Sequence, residues 1–117
     1  MHYGRGISQF ARDAILALQG GRCLCGTADP GQRGWQLDHA HNCTSGHEPQ
    51  NYCKDCVRGL LCISCNRHGL GWYEGTFRPQ PGNAPLPLFE DWISRRVRFR
   101  GDVDSPDVTV SYVAAAG

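Results

Sequence analysis

The chain has 117 residues, of which 40% are hydrophobic, with 15 glycines, 7 prolines, 7 cysteines and a formal net charge of +1. This length allows one small domain, whose core buries so little apolar surface that metal or covalent cross-links are often needed to stabilise it. The balanced charge argues against binding of nucleic acid by bulk charge alone, and no apolar run approaches the roughly 18 residues that a membrane span requires.

The cysteines favour metal binding over disulfides. An odd number of cysteines cannot all be paired. Residues 1–10 carry His, Arg and Gln where a signal peptide would have its apolar segment. These observations predict a reducing cytoplasmic environment, in which clustered cysteines act as metal ligands more often than as disulfides.

The first half of the chain predicts one helix and one strand. Residues 7–19 place apolar side chains at helical spacing, and the glycines at 20–21 end this helix. A short strand at 35–37 leads into the sequence DHAH at 38–41, and a polar loop without periodicity follows at 42–56. The apolar face of the helix comprises Ile7, Phe10, Ala11, Ala14, Ile15 and Leu18.

The second half predicts a mixed helix and strand pattern. Residues 58–61 run into a cysteine turn that opens a short helix, and four prolines within 79–87 predict an extended linker. A short helix at 88–96 and two strands at 97–100 and 108–113 follow. The chain as a whole is therefore expected to be a small α+β protein.

Four cysteines at zinc-knuckle spacing predict one structural zinc site. The thiolates of Cys62-x-x-Cys65 can reach a single tetrahedral ion from one turn. The natural second pair is Cys23-x-Cys25, whose spacing is one residue shorter than usual. Gly26 suits such a turn because a left-handed backbone there lets amides point toward the sulfurs. The alternative, a set of buried free thiols, does not explain the clustering.

The polar loop predicts a second zinc site. Three thiolates come from Cys43, Cys53 and Cys56. His47 in the same loop is the expected fourth ligand, and His41 is the rival candidate. A second ion would explain how a loop with so little apolar content becomes ordered, whereas a disulfide or a loose loop is the alternative.

Asp38, His39 and Asn66 have the chemistry that phosphodiester hydrolysis requires, namely a bound cation and a base that activates water. Neighbouring side chains at a strand end point to opposite sides, so Asp38 can hold a divalent cation while His39 faces the attacking water. Asn66 directly follows the second cysteine pair, and its amide oxygen suits a hard ion such as Mg²⁺. The alternative is that His39 and His41 are zinc ligands or surface groups.

The segment 18–71, with LQGGRCLCG, WQLDHAH and CKDCVRGLLCISCNRHGLG, resembles the recombination endonuclease VII family of bacteriophages. These are HNH-type nucleases of the ββα-metal (His-Me finger) superfamily. The resemblance implies a structural zinc on the two cysteine pairs and a catalytic Mg²⁺ or Mn²⁺ on Asp38 and Asn66. It also implies that His39 is the general base and that His41 lies beside the phosphate. Phage relatives with a second cysteine set near the D-H-x-H motif support the second zinc.

The resemblance predicts a zinc-bound HNH domain at 1–78, with an N-terminal helix before its ββα-metal core. Residues 79–117 would then be a proline-rich linker and a C-terminal helix and strand extension that packs on the same domain. A phage-encoded protein in the cytoplasm of a bacterial host is expected.

Three features depart from the family pattern. The first cysteine pair is C-x-C rather than C-x-x-C, and Gly69 replaces a glutamate that the best-known member carries three residues after the asparagine; His68 is the candidate substitute. Beyond Tyr73 the chain lacks the long helical dimerisation region of the junction-resolving enzyme. Cleavage of four-way junctions therefore does not carry over, and monomer and homodimer both stay open.

Basic side chains are expected to contact DNA phosphates. Arg96, Arg98 and Arg100 would share one face of a strand. Arg58 and Arg67, which flank the Cys62–Cys65 pair, are the closer candidates for the scissile phosphate. For the arginine strand, the alternative is a solvated edge. The leading hypothesis is a metal-dependent DNA endonuclease that hydrolyses phosphodiester bonds, by nicking or with selectivity for DNA structure. The rival is a non-catalytic zinc module that binds DNA or protein.

Overall fold

The computed structural model describes residues 7–40, 54–73 and 86–115. Strands β1 and β2 pair as one antiparallel sheet, and β3 and β4 pair as a second one. This arrangement confirms the predicted small α+β class. The elements in chain order are α1 (Gln9–Leu18), β1 (Gln36–His39), β2 (Val57–Leu61), a π-helical turn (Cys65–Gly69), α2 (Leu70–Tyr73), α3 (Leu86–Ile93), β3 (Arg95–Arg100) and β4 (Thr109–Ala114).

Helix α1 forms where the apolar spacing predicts it. The Ser8 hydroxyl caps its first turn by accepting a hydrogen bond from the Ala11 amide at 3.1 Å. Ala11 and Ile15 are fully buried, whereas Phe10 is 48% exposed. Phe10 thus lies at the margin of the apolar face, and the helix buries the narrower stripe that Ala11 and Ile15 define.

The hairpin of β1 and β2 contacts α1 and β3 through β2, and every residue of β2 is buried. Its register pairs Leu37 with Leu60. The side chain of Gln19, at the end of α1, covers the other edge of β2. Its Nε2 donates to the Leu60 carbonyl at 2.9 Å, and its Oε1 accepts from the Leu60 amide at 2.7 Å. One carboxamide thus satisfies both backbone groups of Leu60 on this edge.

Helix α3 ends earlier than the predicted 88–96. Its last residue is Ile93, because β3 begins at Arg95 and pairs from there with β4. Ser94 makes the transition: its amide still donates to the Glu90 carbonyl at 3.2 Å, while its own carbonyl accepts from Ala115 at 2.8 Å beside the second sheet. Pairing of the two strands therefore outweighs helix propensity at Arg95 and Arg96. The two predicted strands at 97–100 and 108–113 are present and pair with each other.

Two clusters of buried apolar side chains hold the elements together. The first joins α1, β2 and the second sheet through side chains that include Ile15, Leu60 and Val97. The second packs Phe89 and Trp92 of α3 against the cysteine pairs. Residues 86–115 thus pack on the hairpin and on the cysteine cluster. The linker at 79–87 falls largely, and the boundary at 78 wholly, within residues 74–85, outside the described part, so the division into 1–78 and 79–117 stays a prediction. Among the helices that the structure describes, none has the length and apolar character to cross a membrane.

Candidate metal centre and active site

The four cysteines predicted to form one site lie together. All four Sγ atoms are within 4.8 Å of one another. Cys62 Sγ lies 3.6 Å from Cys23 Sγ and 3.9 Å from Cys25 Sγ. A tetrahedral zinc ion with Zn–S bonds of about 2.3 Å requires sulfurs about 3.8 Å apart. The cluster of Cys23, Cys25, Cys62 and Cys65 therefore has the size and the donor chemistry to bind a structural zinc ion.

The backbone around the cluster is arranged toward the sulfurs. The Cys62 amide donates to Cys23 Sγ at 3.3 Å, and the Cys65 amide donates to Cys62 Sγ at 3.4 Å. Gly26 adopts a φ of +91°, which an L side chain would resist, and its amide donates to the Cys23 carbonyl at 2.9 Å. The shorter C-x-C spacing thus closes as a tight turn that still brings Cys25 into the cluster.

The pKa values of the thiols show why such a cluster favours a cation. A hydrogen bond with Cys65 lowers the pKa of Cys23 to about 5, and the same hydrogen bond raises the pKa of Cys65. Burial raises the pKa of Cys62 to about 11. The cluster by itself therefore stabilises one thiolate at neutral pH and opposes the next. A bound zinc ion would supply the positive charge that favours further thiolates in the cluster.

Asp38 lies in a buried ion pair. It is 5% exposed, and Arg58 on β2 is 2% exposed. The Arg58 Nε donates to Asp38 Oδ2 at 2.8 Å, and its Nη2 donates to Oδ1 at 3.2 Å. The indole Nε1 of Trp92 donates to the same Oδ2 at 2.6 Å. Three charge-assisted hydrogen bonds thus compensate the burial of the carboxylate.

A β-bulge separates Asp38 from His39. Asp38 lies opposite Gly59, whereas His39 lies opposite Val57, so β2 has one more residue than β1 at this point. Bulges of this kind redirect side chains and are frequent beside active sites. His39 is half-buried, and its Nδ1 lies 3.4 Å from the Ala40 carbonyl oxygen.

Asn66 occupies the π-helical turn that starts at Cys65. Its amide donates to the Cys62 carbonyl at 3.0 Å, so the backbone of Asn66 is tied to the cysteine cluster. The side chain is half-buried, and within the described residues none of the hydrogen bonds found involves its carboxamide. Carboxylate and amide oxygens are ligands that Mg²⁺ and Mn²⁺ accept. By donor chemistry alone, the Asp38 carboxylate and the Asn66 carboxamide could serve as ligands of such an ion.

The predicted arginines differ in exposure. Arg67, Arg98 and Arg100 are exposed, whereas Arg96 is half-buried and donates to the carbonyls of Ile93 and Arg95 at 2.9 and 2.8 Å. Arg58 is buried against Asp38 and does not present its guanidinium at the surface in this conformation. The three exposed arginines are thus the accessible members of the predicted set.

The second predicted zinc site lies mostly outside the described residues. His41, Cys43, His47 and Cys53 fall within 41–53, which the structure does not describe. Cys56 is described and fully buried, and it packs in the first apolar cluster. His68, the candidate substitute for the family glutamate, is half-buried in the π-helical turn.

Sequence reasoning missed two residues that shape the site. Trp92 lies 54 positions from Asp38 along the chain, within a segment that the sequence predicted only as a short helix. Gln19 was not singled out, although it binds the β2 backbone. A tryptophan on the apolar face of a helix is only a weak indication that its indole N–H donates a hydrogen bond in the core. No rule of sequence spacing predicts which residue accepts that bond.

Comparisons with known proteins give the family. Residues 1–105 match the family model described as recombination endonuclease VII. The Gene 59 protein of Mycobacterium phage D29 is 38% identical over 60 residues, which cover 50% of this chain and 30% of the phage protein. The Gene 59 protein of Mycobacterium phage L5 is 37% identical over 59 residues, which cover 50% and 29%.

The chain therefore spans less than a third of the length of these relatives. No solved structure gives a significant match. The family match, in contrast, extends over most of the chain. The chain belongs to the recombination endonuclease VII family.

Proposed function

We propose that the protein is an HNH-type DNA endonuclease with a structural zinc ion and a separate Mg²⁺- or Mn²⁺-dependent active site. The observation that carries this proposal is the order of elements around the cysteine cluster. Asp38 and His39 end the first strand of a hairpin, and the second strand leads directly into the cysteine pair that is followed by Asn66. Two antiparallel strands followed by a short helix are the arrangement expected of a ββα-metal core.

In the proposed reaction, His39 accepts the proton of the attacking water. Donation of its Nδ1–H to the Ala40 carbonyl, a long contact of 3.4 Å, leaves the lone pair on Nε2, which is the tautomer that a general base needs. Asp38 and Asn66 would hold the divalent cation, which stabilises negative charge on the phosphate when bound. His41 would lie beside that phosphate as a donor.

DNA would be held by phosphate contacts. The exposed Arg98 and Arg100 lie two residues apart on β3 and share a face opposite Val97, so they can contact successive phosphates. Arg67 follows Asn66 and is exposed, which makes it the candidate for the scissile phosphate. Such contacts carry no base readout, so weak sequence preference and strong dependence on salt are expected.

Four further features belong to the same proposal. A second zinc ion on Cys43, His47, Cys53 and Cys56 would order the loop before β2. The phage relatives support a role in an infected bacterial cell. The proposal is compatible with nicking and with double-strand cleavage. It is also compatible with a monomer and with a homodimer.

A non-catalytic zinc module is the second candidate, and one observation favours it. The Asp38 carboxylate already accepts three hydrogen bonds from Arg58 and Trp92 in a buried position, as a purely structural carboxylate would. In that case His39 and Asn66 would have no part in chemistry. The two candidates differ in a single property, namely cleavage of DNA that depends on a divalent cation.

A nicking assay separates them. Zinc-loaded protein is mixed with supercoiled plasmid in EDTA, in Mg²⁺ and in Mn²⁺, and the open-circular and linear products are measured on a gel. The proposal predicts cleavage only with the added cation, and loss of at least about a hundredfold in rate for His39→Ala. Gln32→Ala, at an exposed loop position, serves as the matched control and should cleave as the wild type does.

Zinc content and circular dichroism are measured for both variants, so that loss of folding is not mistaken for loss of chemistry. Cleavage by folded His39→Ala at the wild-type rate would reject His39 as the base. A wild-type protein that binds zinc and DNA but never cleaves would reject the nuclease and leave the zinc module.

A further inference from the structure

We propose that Trp92 is a positioning residue for Asp38: its indole N–H occupies Oδ2 and so leaves Oδ1 as the atom through which Asp38 meets the catalytic cation. Helix α3 would then belong to the active site rather than to an accessory extension. This inference rests on the proposed function, since it concerns the carboxylate assigned to the cation.

The argument starts from the acceptor capacity of a carboxylate. Its two oxygens offer about four lone-pair positions in total, two on each oxygen. Asp38 Oδ2 accepts from Arg58 Nε at 2.8 Å and from Trp92 Nε1 at 2.6 Å, so both of its positions are filled. Oδ1 accepts one bond, from Arg58 Nη2 at 3.2 Å. One position therefore remains, and it is on Oδ1.

This distribution sets the mode of cation binding. A carboxylate with only one position left can bind an ion through one oxygen and not through two. Magnesium sites with few carboxylates and several waters are typical of phosphoryl chemistry. Partners that hold a ligating side chain in place usually change metal affinity by 10- to 100-fold when they are removed. Trp92 has the position of such a partner.

The fold is built to accept the Trp92 ring at this place. Trp92 is 2% exposed. It passes over Gly59, the residue opposite Asp38, so closely that a Cβ on Gly59 would lie 2.7 Å from Trp92 Cη2 and 2.8 Å from Cζ2. A side chain at position 59 and the indole cannot both occupy this space. The glycine thus opens the route by which the indole reaches the carboxylate.

Two neighbours fix the ring from its other sides. Trp92 packs in the apolar cluster that contains Cys62 and Cys65, so the indole and the cysteine site share one packed core. The guanidinium of Arg95 lies 4.4 Å from the Trp92 ring centroid and 4.0 Å from that of Tyr112. Such stacking of a cation on an indole is favourable, and it joins the ring to the second sheet. Zinc cluster, indole and Asp38 therefore form one continuous chain of contacts.

The first test follows the wild-type protein by NMR. The chain has three tryptophans, so three indole N–H signals are expected, and they are assigned by triple-resonance spectra. Titration of the zinc-loaded protein with Mg²⁺ should shift the Trp92 indole signal, because the ion binds the carboxylate that accepts its hydrogen bond. The Trp35 signal should not move. A Trp92 signal that stays constant at saturating Mg²⁺, in protein that cleaves DNA, would overturn the inference.

The second test uses Trp92→Phe, which keeps a ring and removes the donor, with Trp35→Phe as the matched control. Free Mn²⁺ is measured by electron paramagnetic resonance, and kcat and KM are measured on plasmid DNA. We expect Trp92→Phe to weaken Mn²⁺ binding about tenfold or more and to lower kcat with little change in KM, while Trp35→Phe matches the wild type.

The outcomes distinguish the two levels of the proposal. Wild-type protein that does not cleave at all rejects the nuclease function. Wild-type protein that cleaves, together with Trp92→Phe that binds Mn²⁺ and cleaves equally well, rejects only the role of Trp92. If the Trp92→Phe variant fails to bind zinc or to fold, the Mg²⁺ titration of the wild-type protein alone decides whether Trp92 has the proposed role.

Discussion

Replacing Arg58 with methionine removes one partner of the buried ion pair and keeps a side chain of similar length. The side chains of Arg58 and Asp38 are only 3% and 6% exposed, so water cannot solvate the carboxylate that is left behind. Asp38 loses the two hydrogen bonds that it accepts from Arg58, at 2.8 and 3.2 Å, and keeps the one from Trp92. Breaking a buried pair from one side costs about 3–5 kcal/mol, against a total stability of about 5–15 kcal/mol for a small domain.

The assay is urea unfolding of the zinc-saturated protein, followed by tryptophan fluorescence and circular dichroism. Zinc is kept in excess for every variant, because zinc binding to the folded state contributes to the measured free energy of unfolding. Arg67→Met is the matched control, since Arg67 is exposed, and a change within about 0.5 kcal/mol is expected for it.

A double-mutant cycle with Asp38→Asn isolates the pair. The double variant contains no buried charge, so it should be more stable than the sum of the two single effects implies, with a coupling free energy of about 1–3 kcal/mol. The reasoning would be refuted if the free energy of unfolding of Arg58→Met lay within about 1 kcal/mol of the wild-type value and showed no coupling to Asp38→Asn. Such a result would mean that solvent screens the ion pair.

Three further predictions follow from the zinc cluster, the hairpin and the basic strand. Cys62→Ser removes the sulfur at the centre of the close contacts, so zinc per chain measured by plasma mass spectrometry should fall and the circular dichroism should show unfolding; a folded variant with full zinc would contradict this. Gly59→Ala places a Cβ 2.7 Å from Gln19 Oε1 and from the Trp92 ring, which should lower stability by about 1–3 kcal/mol, and an unchanged Tm would count against the packing described. Replacing Arg98 and Arg100 with glutamine should weaken DNA binding and reduce the slope of log K against log salt by about 0.9 for each lost phosphate contact, whereas an unchanged slope would remove β3 from the DNA surface.

The parts of the site that local spacing controls could be predicted from the sequence. Two cysteines within one turn must point to a common region, so Cys62-x-x-Cys65 and Cys23-x-Cys25 indicated one zinc site, and the four sulfurs lie together. The apolar periodicity of α1 and the alternation in β3 and β4 likewise specified these elements, apart from their ends. Local pattern therefore carries information over a few residues, which is the range of a turn or of one face of a helix.

Contacts that depend on register and tertiary packing could not be predicted. Arg58 was expected to contact a phosphate. It lies in β2 at the bulge opposite Asp38 and His39, and its guanidinium binds the Asp38 carboxylate. A bulge shifts register by one residue and leaves no periodic signal. Trp92 reaches Asp38 from another element, and only the absence of a side chain at Gly59 permits this approach.

The most direct measurement is a crystal structure of the zinc-loaded protein soaked in Mn²⁺, with anomalous data collected at the manganese and zinc edges. We expect a zinc peak at the centre of the four cysteine sulfurs and a separate manganese peak that touches Asp38 Oδ1 and the Asn66 carboxamide, with His39 beside it. A manganese ion bound elsewhere, or Asn66 facing a different surface from Asp38 and His39, would contradict the proposed active site.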